Sequence, residues 1–138
     1  SALDIPVYLK VIEDKGGLFV NDALCYGSRP FNYDLEVKGD VLASIAEYYL
    51  DRIVCPRMLD NRVKLQKYIV DTCKEFNVDG VLYEKMQYCE CWGGERRFLE
   101  PDLKEIGVPM LIVEREEHLA NAGQLAIRAE AFIAMIEK

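Results

Sequence analysis

Histidine is nearly missing from this sequence, which carries only His118. That scarcity excludes a metal site built on several imidazoles. It also leaves a Ser-His-Asp triad one possible centre, with no G-x-S-x-G to accompany it. His118 itself reads as a solvated loop residue. No G-x-G-x-x-G follows the first candidate strand and no G-x-x-x-x-G-K-[ST] occurs anywhere, which argues against ordinary dinucleotide binding and against an intrinsic P-loop ATPase. No apolar run approaches the roughly 20 residues a membrane span needs. The opening "SALDIPVYLK" has neither a basic n-region nor a signal-like apolar core. The chain therefore reads as cytoplasmic, with no membrane partner. Basic residues are outnumbered, 17 Lys and Arg against 24 Asp and Glu, for a net charge of -7. Without a broad basic face, nucleic acid is not an expected partner, and an anionic ligand would have to be met by local arginines. Internal repeats and low-complexity stretches are absent.

What is present describes an ordinary globule. A length of 138 residues, 51% of them hydrophobic, suits one sizeable core, so residues 1–138 are expected to form a single α/β domain. Asp4 as N-cap and Pro6 in the first turn open a short helix with Val7, Tyr8, Val11 and Ile12 at helical spacing and a stop at Gly16. "GLFVND" (17–22) reads as a buried parallel strand emptying into the turn-rich "CYGSRPFNYD" (25–34). Asp40 caps a helix whose inward face is Val41, Leu42, Ile45, Ala46, Tyr49 and Leu50. "RIVCP" (52–56) predicts a second strand closed by Pro56. Leu65, Ile69, Cys73 and Phe76 mark the face of the next helix. "DGVLYE" (79–84) and "PMLIVE" (109–114) predict the third and fourth strands, and a last helix runs from about Ala120 to Glu137 with Leu125, Ala129, Phe132 and Ile136 inward. Strands alternating with helices of this length imply right-handed crossovers. The expected fold is a four-stranded parallel Rossmann-like, or flavodoxin-like, sheet with helices on both faces.

In such a sheet the functional crevice lies beyond the carboxyl ends of the strands, here Asn21 and Asp22, Cys55, Glu84 and Glu114. Cys89 stands five residues past Glu84 and is followed at once by Glu90 and Cys91. A C-x-C pair is too short for an ordinary staple and, with no second pair elsewhere, is not a complete zinc site. Five cysteines at irregular spacing fit reduced thiols or a metal role better than a disulfide framework. Cys73, on an apolar helix face, reads as a small core hydrophobe and Cys55 as a buried strand-end thiol; Cys25, in a polar loop, fits a structural or a functional role equally. Gly93, Gly94 and Glu95 lead into a helix whose N-terminus favours an anion. Arg29, with Ser28 in "YGSRPF", is the better candidate for holding an anionic group, whereas Arg96 and Arg97 read as a solvated helix face. Gly123 and Gln124 open a helix at the same edge, where backbone N–H groups can meet a ligand.

The order "EDKGGLFVNDALCYGSRPF", "YYLDRIVCP", "DGVLYEKMQYCECWGGE", "GVPMLIVERE" and "AGQLAIRAEAFIAMI" resembles the C-terminal domain of a subunit of the 2-hydroxyacyl-CoA dehydratase and benzoyl-CoA reductase superfamily. The strand-loop-Cys segment ending at Cys89 and the G-Q-L-x-x-R-x-E-A-F run from Gly123 to Phe132 are its most specific parts. The resemblance implies a two-domain subunit gripping a [4Fe–4S] cluster, two ligands from the N-terminal domain and one, Cys89, from this domain. The family's cysteine is commonly followed by an acidic residue and proline. Here Cys91 follows Glu90 and stands as a bystander, an alternative ligand or an extra one. The resemblance further implies an acyl-CoA substrate, a second subunit, and an ATP-dependent activator protein that injects a low-potential electron. By itself the chain is expected to hold no cluster and to be inactive, because its thiolates fall short of four ligands. Arg29, Ser28, Glu84, Gly123 and Gln124 are the expected substrate-binding residues, and no catalytic residue is assigned. The other reading of the C-x-C loop is a flavodoxin-like interaction module with a reactive thiol and no cluster.

Overall fold

The computed structural model describes residues 6–58, 60–116 and 122–137; Asp4 and His118 lie outside the described residues. Five α-helices, α1 (Pro6–Glu13), α2 (Val41–Glu47), α3 (Arg62–Glu75), α4 (Glu90–Glu105) and α5 (Ala122–Ile136), surround two strands, β1 (Val81–Met86) and β2 (Met110–Arg115). A 3₁₀ turn covers Arg29–Phe31, and a π-helical turn, Tyr48–Arg52, continues α2. The strands pair in parallel from Val81 opposite Met110 to Met86 opposite Arg115, with α4 as the crossover between them.

The period-2 alternation of the strands divides the core in two. Tyr83 is buried with Val54, Leu65, Tyr68, Cys73, Trp92, Leu99 and Leu103 on the α3 and α4 side, and Val81, Met110 and Ile112 pack against that cluster. Val113 points the other way into Tyr8, Ile12, Leu125, Ala129 and Ile133 of α1 and α5, joined by Leu82 and Leu111. Leu65 at 1% and Leu103 at 0% exposure are enclosed completely, each burial stabilising the fold by about 1.5–3 kcal/mol. Helices thus cover both faces of the sheet, as expected.

The sheet has two strands among the described residues, not four. No backbone hydrogen bond ties residues 18–23 to β1, and Leu18 and Val20 are exposed. The polar end of this run bonds to itself: Asn21 Oδ1 accepts from the Asp22 N–H at 2.7 Å and Asp22 Oδ1 from the Leu24 N–H at 2.9 Å. Such local bonds take up donors a ladder would need. Residues 16–24 and 80–84 instead line a cavity of about 760 Å³. The expected strand at 52–56 does not form: the π-helical turn runs to Arg52, and Ile53, Val54 and Cys55 before Pro56 join no sheet.

The cap of α2 is as expected, since Asp40 Oδ1 accepts from the Leu42 N–H at 2.8 Å and the Ala43 N–H at 3.4 Å. Its inward face is not. Val41, Leu42, Ile45, Tyr49 and Leu50 are exposed, while Ser44 and Tyr48 are buried. Polar contacts choose that face: Ser44 Oγ accepts from the Lys38 N–H and donates to the Asp40 carbonyl, both at 2.9 Å. The Tyr48 hydroxyl lies 2.7 Å from the Pro30 carbonyl oxygen and 2.8 Å from that of Tyr33. A helix anchored through Ser44 and Tyr48, one turn apart, presents its apolar residues outward.

Candidate functional site

β1 ends at Met86, two residues past the expected Glu84, and the chain reverses at once. The Cys89 N–H donates to the Met86 carbonyl at 3.0 Å, and Tyr88 takes a left-handed φ of 63° at the exposed tip of this turn. Cys89, extended at φ -75° and ψ 100°, is the N-cap of α4, and its carbonyl accepts from the Gly93 N–H at 2.9 Å. The helix therefore begins at Glu90, three residues before the expected start, and Gly93 and Gly94 lie within it. Glycine in a helix interior costs about 1 kcal/mol against alanine. A Cβ on Gly94 would meet nothing within 4 Å, so no contact inside the described chain demands that glycine.

The Cys89 thiol makes no capping hydrogen bond and is partly buried against the cluster that contains Trp92. Among the described residues no side-chain bond caps α4, whose first-turn N–H groups carry the positive end of a 16-residue helix dipole. Cys91 sits inside the first turn and is also partly buried. Below the two cysteines, the Tyr83 hydroxyl donates to the Trp92 carbonyl. Burial, and next the Glu95 charge, push the Tyr83 phenol well up. Glu95 is itself shifted up by burial, and its Oε2 has no hydrogen-bond partner.

The loop at 22–29 reaches the same helix turn. Asp22 braces it, accepting from the Leu24 N–H and the Ser28 N–H at 2.9 Å and from the Ser28 hydroxyl at 3.1 Å. Gly27 backs directly onto that carboxylate: a Cβ there would stand 1.8 Å from Asp22 Oδ1. The braced loop delivers Arg29, which is 3% exposed. Its Nη2 donates to Cys25 Sγ at 3.2 Å, and its Cζ lies 5.9 Å from the centre of the Trp92 ring. Nε and Nη1 are buried and meet no acceptor. A guanidinium cannot shed its charge, so unmade hydrogen bonds here cost the full desolvation of those groups.

The other expected residues fall elsewhere. Glu84 projects to the α1 and α5 face, where its Oε1 accepts from Arg115 Nε at 2.6 Å, both side chains being buried at 8% and 6%. The Arg115 guanidinium also lies 6.0 Å from the Tyr8 ring centre. Burial, then the Glu84 charge, push the Tyr8 phenol well up. Glu84 therefore belongs to a buried ion pair under α1 and not to the Cys89 turn. Gly123 and Gln124 are exposed in the first turn of α5. Cys73 is buried, and burial pushes its thiol up. Cys55 is partly buried. Sequence reasoning passed over the joining role of Trp92 and the contact of Cys25 with Arg29. The only signals were the lone tryptophan beside Cys91 and the four-residue spacing in a loop rich in turn residues.

The model of the 2-hydroxyglutaryl-CoA dehydratase D-component family matches residues 1–136. The chain belongs to that family. It is 24% identical over 124 residues to the "(R)-phenyllactyl-CoA dehydratase beta subunit" of Clostridium sporogenes, covering 90% of this chain and 33% of that protein. It is 28% identical over 130 residues to the "Putative dehydratase subunit YjiM" of Escherichia coli (strain K12), covering 93% of this chain and 33% of that protein. The chain thus spans a third of the length of the curated relatives it matches. Among the described residues no helix is long and apolar enough to cross a membrane. No group of three or more His, Cys, Asp or Glu gathers there to hold a metal ion. A cluster on Cys89 would need its remaining thiolates from outside the described residues. A thiol at the N-terminus of α4 is suited to serve as one thiolate ligand of such a cluster.

Proposed function

We propose that this chain is the cluster-holding C-terminal part of a 2-hydroxyacyl-CoA dehydratase subunit, with Cys89 supplying one thiolate to a [4Fe–4S] cluster. The observation that carries the reading is Cys89 as a partly buried thiol that makes no capping bond at the start of α4, directly after the two-residue turn that leaves β1. When bound, the cluster would pass a low-potential electron to an acyl-CoA. This chain's own part is to present the thiolate, orient it by the extended backbone of Cys89, and exclude water with Trp92 and Tyr83. An N-terminal domain with two further thiolates, a second subunit and an ATP-dependent activator complete the proposed enzyme.

The test uses the complete subunit with its partner, reconstituted anaerobically. Cys89→Ser is expected to lose iron, sulfide and the visible absorption band, while Cys91→Ser, one position inside α4, keeps all three. Equal iron loss in both variants would make both thiolates ligands. A complete wild-type subunit that takes up no iron would instead favour an interaction module with a reactive C-x-C turn.

A further inference from the structure

Both buried clusters open onto the cavity of about 760 Å³ beside β1. Tyr8, Ile12 and Ile133 line it from one cluster, and Tyr68, Cys73 and Trp92 from the other. Leu18, 81% exposed, and Val20, 47% exposed, line it as well, so its rim is apolar and reaches solvent. The charged residues of the lining are all acidic. Asp22, Asp79, Glu84 and Glu137 contribute, and among the described residues no lysine, arginine or histidine does. Even Glu84 takes its cation, Arg115, from outside that lining. Such a wall offers nothing to a phosphate or a carboxylate. The volume falls within the roughly 300–1,000 Å³ of small-molecule sites, which are mostly apolar with a few placed polar groups. Thr72 supplies one such group. The backbone of Leu82 supplies another: the Val81 and Gln87 N–H groups bond toward β2, so the two-residue alternation of a parallel ladder turns the Leu82 N–H and C=O the opposite way, toward residues 16–24.

We propose that this cavity is a binding site for a small, uncharged, largely apolar molecule, one carrying at most an amide, ester or hydroxyl group, and that it rejects anions of the same shape. The inference goes beyond the cluster reading and does not depend on it. Removal of apolar surface from water drives the binding, and Thr72 and the Leu82 backbone orient the ligand. An acid of the same skeleton would give up its hydration beside carboxylates, with no cation in the wall to replace it. Coenzyme A, with its anionic phosphates, is therefore not the ligand of this cavity. Trp92 stands in the wall, so occupancy is readable through the single tryptophan of the chain.

The experiment titrates the full chain with N-phenyl-1-naphthylamine, an uncharged apolar fluorophore, and in parallel with 8-anilino-1-naphthalenesulfonate, the sulfonate of the same skeleton. The neutral dye is expected to bind with saturation, brighten and quench Trp92, and the sulfonate to bind about tenfold more weakly. Thr72→Phe, which fills part of the cavity, should weaken the neutral dye about tenfold. Leu42→Ser, on the exposed apolar face of α2, should leave it unchanged. Val20→Lys places a cation at the solvent-facing rim, where the fold tolerates it, and should admit the sulfonate and narrow the preference between the dyes. Should Thr72→Phe fail to fold, the dye pair and Val20→Lys still decide. Equal affinity of the parent for the two dyes overturns the proposal, as does a preference unmoved by Val20→Lys. Binding lost in Leu42→Ser but kept in Thr72→Phe overturns it by placing the dye on α2. Displacement of the neutral dye by free coenzyme A, or no binding of that dye at its solubility limit, overturns it too. None of these outcomes touches the Cys89 reading, which iron content decides.

Discussion

Asp22 does for the 22–29 loop what an N-cap does for a helix: three donors, the Leu24 and Ser28 N–H groups and the Ser28 hydroxyl, converge on one carboxylate. The price of that convergence is space, and Gly27 supplies it, since any Cβ would fall 1.8 Å from Asp22 Oδ1. Gly27→Ala must therefore push the carboxylate aside and release its partners. Because buried Arg29 and Pro30 follow immediately and Arg29 packs on Trp92, the damage is carried into the core. A loss of about 1–3 kcal/mol is expected, combining overpacking with unmade hydrogen bonds. It should be seen as a lower urea midpoint at unchanged slope. A midpoint equal to that of the parent would mean the brace is dispensable. Sequence could flag Ser28 and Arg29 as lying beyond a strand end. It could not show that Gly27 is needed, because that requirement is a contact between residues five apart whose geometry depends on the whole turn.

At the scale of the element, helices with one continuous apolar face were the most legible. Tyr8 and Ile12 of α1, Leu65 and Cys73 of α3, and Leu125 and Ala129 of α5 are buried as their spacing requires, whereas Val7 and Phe76, at the ends of the same faces, are exposed. α2 was misread because its apolar spacing is genuine but its anchoring is polar, through Ser44 and Tyr48. The start of α4 was misplaced because glycines ordinarily mark a boundary, whereas here left-handed Tyr88 and extended Cys89 start the helix earlier. α4 also carries a test by pH. Burial shifts the Glu95 carboxyl up, with Arg62 pulling in the opposite sense, and Oε2 lacks a partner. A carboxyl raised in the folded state favours the protonated form. Its contribution to stability is thus full at low pH and lost as the pH rises through its folded value. Glu95→Gln should melt with the parent at low pH and above it once the parent's carboxyl ionises. Thermal melts across that range at constant salt decide the matter, and an equal offset at every pH would show that the charge is not the cause.

For the molecule as a whole, the two-stranded sheet leaves β1 with a neighbour on one side only among the described residues. The ladder between β1 and β2 is extended at both ends by Val81 N–H to the Pro109 carbonyl at 2.9 Å and Gln87 N–H to the Arg115 carbonyl at 2.8 Å. Across the other edge lie residues 16–24, with the cavity of about 760 Å³ lined by both. The strand at 79–84 and the one at 109–114 were legible because each is a short apolar run between turn signals and each packs against helices on both faces. The run at 17–22 carries the same pattern but ends in Asn21 and Asp22, whose side chains compete for the local amides. Pattern alone does not reveal which of those bonds wins. Hydrogen exchange measures the outcome directly. Amides of β1 and β2 sit in a ladder between two packed faces and should open only near global unfolding, whereas amides at 18–23 have no ladder to break and should exchange through local motions at far lower free energy. Mass-spectrometric exchange on overlapping peptides separates the two segments. Protection of 18–22 equal to that of 81–86 would mean that this run pairs with the free edge of β1, closing the cavity into a third strand.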